Sequence, residues 1–177
     1  MCPPASTGEE LWRFHHLKKN SMNAAARPVG GHGLVYLTSG NPAQLMALKL
    51  GMTGMLPKTA VAWEADKGIP TRPSLLLHGD LLFMISDGWI ASCLDAKTGK
   101  AYWSERINGE YTASPVLAGG HIYMPNQTGK TAVVKADKEF ELVAMNELDA
   151  GCMASPAVSG DAIILRTKTH LYSIGKK

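Results

Sequence analysis

Thr128-Gly129-Lys130-Thr131 has the look of the end of a phosphate loop. A Walker loop, however, needs a glycine five residues ahead of its Gly-Lys pair, and Met124 stands there in an apolar run. His15, His16 and His32 are metal ligands by type, yet neighbouring residues of a strand face opposite sides, so His15 and His16 do not readily close on one ion. Cys2, Cys93 and Cys152 lie far apart, with neither C-x-x-C spacing nor a Cys/His ligand pattern, so no disulfide framework or zinc site is indicated. No Gly-x-Ser-x-Gly elbow is present, and Ser114 and Ser155, each ahead of a proline, recur with a repeat, which points to geometry rather than hydrolysis. Asp80, Asp87, Asp95 and Asp161 sit in glycine-linked turns, where aspartate is favoured for bonding its own backbone. The spacing therefore identifies no catalytic residue, no metal-ligand set and no cofactor pocket.

The elements that would have to position any site are repeats. Arg72-Pro73-Ser74-Leu75, Ser114-Pro115-Val116-Leu117 and Ser155-Pro156-Ala157-Val158 recur with prolines 42 and 41 residues apart, and Arg27-Pro28-Val29 is an earlier copy. Gly31, Gly79, Gly119 and Gly160 follow at spacings of 48, 40 and 41, each leading into an apolar strand. A second apolar run, a turn and a last strand complete each unit, and Trp63 and Trp103 lie 40 residues apart on that last strand. Four short strands per unit of about 40 residues, punctuated by Gly, Pro, Asn and Asp, predict antiparallel hairpins stacked as the blades of a propeller. One such meander cannot bury both faces alone, so adjoining units must share a core.

Composition agrees. Of 177 residues, 45% are hydrophobic and 19% charged, while 18 glycines and 10 prolines suit a turn-rich globular fold. A net charge of +3, with basic pairs only at Lys18-Lys19 and Lys176-Lys177, gives no electrostatic footprint for nucleic acid. No run approaches the roughly 20 apolar residues that cross a bilayer, so no integral membrane segment is expected. Met1 to Glu10 lack the basic start and apolar run of a signal peptide. The nine methionines, Met46, Met52 and Met55 among them, are expected to fill core gaps.

The most specific stretch is Leu94-Asp95-Ala96-Lys97-Thr98-Gly99-Lys100-Ala101-Tyr102-Trp103, in which an Asp-x-x-Thr-Gly turn precedes a tryptophan at fixed distance. It resembles the tryptophan-docking repeat of pyrroloquinoline-quinone-like β-propellers. Thr7-Gly8 with Trp12 is a weaker copy, Trp63 keeps the ring without the glycine turn, and in the unit of Ala136 to Val143 the tryptophan is replaced. From about Arg27 to Ile174 the order of landmarks is similar to the carboxy-terminal blades of bacterial members of that family.

The resemblance implies an all-β propeller of four-stranded antiparallel blades, about four of them, from a ring of seven or eight. Residues 1–25 would end an upstream blade and linker, 26–70, 71–111 and 112–152 would be blades, and 153–177 an incomplete last one. The docking residues would be Asp95, Thr98, Gly99 and Trp103, with Thr7, Gly8, Trp12 and Trp63. The last unit lacks an outer strand while Glu10 to His16 offers a spare one, so the four blades either close on themselves or form an open arc.

Function in repeat scaffolds resides on loops, and the strands offer no catalytic constellation, so a non-catalytic scaffold that binds a protein or peptide through rim loops or central funnel, with no cofactor, is expected. Arg72, Arg106, Tyr111 and Arg166, near strand ends, are the candidate contacts. Relatives are mostly exported bacterial proteins, which would put the parent in the periplasm or outside the cell. The alternative is the distal part of a quinoprotein dehydrogenase, with pyrroloquinoline quinone and Ca²⁺ held by ligands upstream.

Overall fold

The computed structural model describes residues 8–16, 25–40 and 42–175. Its strands are β1 (Trp12–Arg13), β2 (Val29–Gly31), β3 (Leu34–Ser39), β4 (Gln44–Lys49), β5 (Gly54–Met55), β6 (Val61–Ala65), β7 (Leu76–His78), β8 (Leu81–Ile85) and β9 (Ile90–Asp95). They continue with β10 (Ala101–Arg106), β11 (Val116–Ala118), β12 (His121–Pro125), β13 (Lys130–Lys135), β14 (Leu142–Glu147), β15 (Ala157–Ser159), β16 (Ala162–Arg166) and β17 (Leu171–Gly175). Three antiparallel sheets of four strands, β2-β3-β4-β6, β7-β8-β9-β10 and β11-β12-β13-β14, are blades one to three, and β15-β16-β17 is blade four.

The core lies between blades rather than within them. Leu82, Met84 and Leu94 of blade two face blade one and meet Leu34, Tyr36, Leu45 and Ala47. Their alternates Phe83, Ile85 and Cys93 face blade three and meet Ile122, Met124, Ala132 and Val134. A strand buried on both faces must be apolar at every position, which is why β8 is the unbroken run Leu-Leu-Phe-Met-Ile.

Each outer strand carries the same irregularity. The register slips between Ala47 and Leu48, between Ala101 and Trp103, and between Val133 and Val134. One extra residue, Ala62, Tyr102 or Val143, is thereby left without a ladder partner, a bulge that re-aims the residue after it. That next residue is Trp63 opposite Ala47, Trp103 opposite Cys93, and Ala144 opposite Val133. The tryptophan missing from blade three is therefore replaced by Ala144.

Two expectations from the sequence need correction. The strand foreseen over Glu10 to His16 forms only as β1, and it runs parallel to β5 of blade one rather than along β17. The connection between β4 and β6 offers it local partners: Gly54 N–H donates to the Leu11 carbonyl at 2.9 Å and Leu56 N–H to the Arg13 carbonyl at 2.8 Å. No closure onto blade four is made through this strand.

The repeat is also out of register at Pro73. Arg27 N–H donates to Ser74 Oγ, Ser74 N–H to Ser114 Oγ, and Ser114 N–H to Ser155 Oγ, each at 2.9 Å. This relay equates Ser74 with Ser114 and Ser155, so Leu75, not Pro73, stands where blades three and four carry proline.

Candidate functional site

Because the strands alternate in direction, turns fall on two opposite faces. The β7–β8 and β9–β10 turns share one face with their counterparts in the other blades. The β8–β9 turns and the connections between blades share the other, here termed the connection face.

The docking residues lie on the first of these faces. Asp95 Oδ1 accepts from Lys97 N–H at 3.0 Å, Thr98 N–H at 2.8 Å and Thr98 Oγ1 at 2.9 Å, while Oδ2 accepts from Tyr102 Oη at 2.9 Å. Partial burial pushes this carboxyl up, but the Tyr102 and Thr98 bonds hold it below the ordinary carboxylate value. The turn so fixed brings Gly99 to φ +73° under the Trp63 ring of blade one, and Trp63 Nε1 donates to the Ala96 carbonyl at 3.0 Å. Trp103 repeats the arrangement one blade on, with Nε1 donating to the Asp137 carbonyl at 3.1 Å. Blade three has no Thr-Gly there, and Phe140 packs edge-on against Trp103 with centroids 5.1 Å apart. Trp12 is half-buried opposite Gly54, Gly8 lies at φ +63°, and Thr7 falls outside the described residues.

The connection face gathers the arginines. Four of the five in the chain, Arg27, Arg72, Arg106 and Arg166, lie at strand ends or connections on this side. Arg72 Nε donates to Asp87 Oδ1 at 2.5 Å, and Asp87 Oδ2 accepts from Thr71 N–H at 2.7 Å and Thr71 Oγ1 at 3.0 Å. Arg166 is exposed, and its backbone carbonyl accepts the Cys152 thiol at 3.0 Å. Tyr111, foreseen as a contact, is fully buried between blades two and three, where burial pushes its phenol up to about 12. It is a core residue, out of reach of a partner on the surface.

The Asp87 carboxyl supplies a pH test. Burial pushes it up, yet the Thr71 N–H, Arg72 and the Thr71 hydroxyl outweigh burial and hold it below the ordinary value of 3.8. A depressed value in the fold means the contribution is complete above 3.8 and is lost as pH falls below it. Asp87→Asn is expected to cost about 1–2 kcal/mol at pH 7. In urea unfolding the gap between parent and variant should close toward about pH 2; a gap constant across that range would mean the carboxylate charge is not involved.

One residue on this face was not legible as a site. Trp89, in the β8–β9 turn, has φ +80° and is 41% exposed, and the Arg106 guanidinium lies 5.7 Å from its ring centroid. A bulky residue in the left-handed region costs about 1–3 kcal/mol, and an exposed cation–π contact returns about 0.5–1 kcal/mol. Blade three carries Gly129 at the same place, with φ +97°. Gly88, the residue before Trp89, lines an open cleft of about 720 Å³ between blades one and two, whose walls also include Ile69, Thr71, Arg72, Asp87 and Asp66. The clue in the sequence was a tryptophan directly after Asp87-Gly88, in a turn position that glycine fills one blade later.

The stacked four-stranded sheets, the shared inter-blade cores and the tryptophans docked from one blade onto the next define a pyrroloquinoline-quinone-like β-propeller. Residues 56–174 match the family described as outer membrane protein assembly factor BamB. The chain belongs to this family. It is 27% identical over 100 residues to the outer membrane protein assembly factor BamB of Legionella pneumophila (strain Paris), an alignment covering 56% of this chain and 26% of that protein. Among solved structures it is similar to BamB from Moraxella catarrhalis, with a TM-score of 0.64 at 14% identity over 81% of this chain and 40% of that one. A europium-containing methanol dehydrogenase superposes with a TM-score of 0.56 at 15% identity, over 68% of this chain and 24% of that one. The chain thus spans about a quarter of the curated relative's length, and the likeness to the two structures is one of fold.

The donor set does not fit a quinone with its calcium. Asp80 is bonded to Lys97 at 2.9 Å, Asp87 is saturated by Thr71 and Arg72, and Asp95 is spent on its own turn. These carboxylates are dispersed over both faces instead of converging at the hub. Among the described residues no three His, Cys, Asp or Glu side chains come together.

Proposed function

We propose that this chain is a non-catalytic propeller scaffold that binds a protein or peptide segment and serves the assembly of outer-membrane proteins. The match of residues 56–174 to the assembly-factor family carries this reading. Function in such scaffolds resides on loops held by rigid blades, and the connection face supplies arginines and an exposed tryptophan, residue types enriched where proteins bind. In this reading the parent protein works in the periplasm, against the outer membrane, and needs no cofactor.

A photo-cross-linking residue at Lys67, exposed on the connection face, tests it in cells that make the protein. The expected result is an adduct with a component of the outer-membrane assembly machinery, absent when the same residue is placed at Lys97 on the opposite face. Adducts from neither face would defeat the reading. So would a purified parent that carries bound quinone and oxidises alcohols.

A further inference from the structure

We infer that the cleft between blades one and two on the connection face takes an extended, acidic peptide segment, with Trp89 as its apolar anchor and Arg106 and Arg72 reading the carboxylates. The inference rests on the protein-binding reading above and names the chemistry of the partner. Three observations converge on it.

Trp89 occupies a backbone conformation that its side chain disfavours, at a turn where glycine serves in the next blade. The ring stays 41% exposed, so burial and the Arg106 contact offset the backbone cost only in part. Strain that packing offsets only in part points to a residue kept for contact.

Two exposed guanidinium groups, Arg106 and Arg72, stand ready for an anion, against the carboxylates of Asp66 and Asp87 on the cleft wall. Arg106 is exposed, and its guanidinium lies over the Trp89 ring. Its neighbour Glu105 is the adjacent residue of β10 and points to the opposite side of the sheet. Arg72 uses Nε on Asp87, leaving its two terminal nitrogens directed at no described partner, and its side chain is 48% exposed. Asp87 itself is occupied by Thr71 and Arg72, so it opposes an incoming carboxylate less than its formal charge suggests. Asp66 is the remaining acid on the wall, with exposed Lys67 beside it. Guanidinium groups suit carboxylates because their planar fork pairs with both oxygens.

The cleft is open to solvent and large enough to take several side chains. It is an open trough of about 720 Å³ with Ile69 and Pro42 among its apolar walls. Arg27 and Arg166 continue the cationic character along the same face, toward blades one and four. An extended segment alternating acidic and apolar side chains would present its carboxylates to the arginines and its apolar groups to Trp89 and Ile69.

The test uses the 177-residue chain and a fluorescein-labelled peptide of alternating Glu and Leu, with a Lys-and-Leu peptide as its charge-reversed counterpart, read by anisotropy. The Glu peptide is expected to bind, more weakly as salt rises, and the Lys peptide is not. Trp89→Gly should weaken binding at least tenfold while the melting temperature stays or rises, because the strain is relieved. Trp89→Tyr should keep most of the affinity, and Arg106→Met should lose several-fold together with part of the salt dependence.

The site is refuted if the Glu peptide fails to bind, if both peptides bind alike, or if Trp89→Gly binds like the parent. It is equally refuted if Trp89→Gly melts lower, which would make the ring structural. Cross-links from Lys67 persisting without Glu-peptide binding would sink this site alone, and leave the scaffold reading standing. Peptide binding dependent on Trp89 without any such cross-link would retain the site and remove the scaffold role.

Discussion

Trp103→Ala is expected to cost about 3–5 kcal/mol of stability. The ring is 8% exposed and spans the gap between blades two and three, lying 6.1 Å from Phe83 and 5.1 Å from Phe140 between centroids. Its Nε1 donates to the Asp137 carbonyl, so truncation opens a cavity and also leaves a blade-three acceptor without its donor. The shared core cannot collapse to fill the space, because Ile122, Met124 and Val134 on the far side are anchored in their own sheet. Urea unfolding followed by circular dichroism would measure the loss. A change under about 1 kcal/mol, the size of an ordinary surface substitution, would mean that the tryptophan does not hold these blades together.

Gly99→Ala should cost about 3 kcal/mol, by two separable routes. A left-handed backbone with φ +73° charges an alanine about 1–2 kcal/mol. The added Cβ would also lie 2.5 Å from Trp63 Cε3, and overpacking of that kind costs about 1–3 kcal/mol. Only the second part depends on the ring. In a Trp63→Ala background the glycine substitution should therefore cost only the backbone part, about 1–2 kcal/mol. The resulting coupling is read from a double-mutant cycle. Strictly additive effects would show that Trp63 does not rest on this turn.

The fold was legible because a propeller writes its geometry into repetition. Trp63 and Trp103 at one spacing, and glycines at another, are fixed by strand length and turn chemistry, which the sequence states directly. The register at Pro73 was not legible, because proline is compatible with the chain just before an inner strand as well as at its start. Only the serine relay shows that Leu75 takes the proline's place. Tyr111 misled for a similar reason: it follows a strand end where a neighbour would be exposed, and burial there depends on a different blade folding over it. Trp89 was missed because tryptophan in a turn gives no periodic signal, and the cost of its φ is visible only in three dimensions. Pairing of β1 with β5 depended on backbone donors in a long connection, and backbone donors are the same in every sequence.

The docked tryptophans have one further consequence, because they all point the same way along the chain. Trp63 of blade one caps a turn of blade two, and Trp103 of blade two caps a turn of blade three, and among the described residues no tryptophan is bonded back the other way. The placement has a direction, but each contact is shared, so its loss is felt on both sides. If blade one frays, the Asp95–Gly99 turn of blade two loses its lid; if blade two frays, Trp63 loses the carbonyl and the turn it rests on. Fraying of either blade therefore weakens the other, and Ala144 marks where the ring contacts stop, leaving blades three and four joined by others such as the Ser114–Ser155 bond. The molecule behaves like a row of overlapping roof tiles, in which each is pinned by the one laid over it and lifting either loosens the pair.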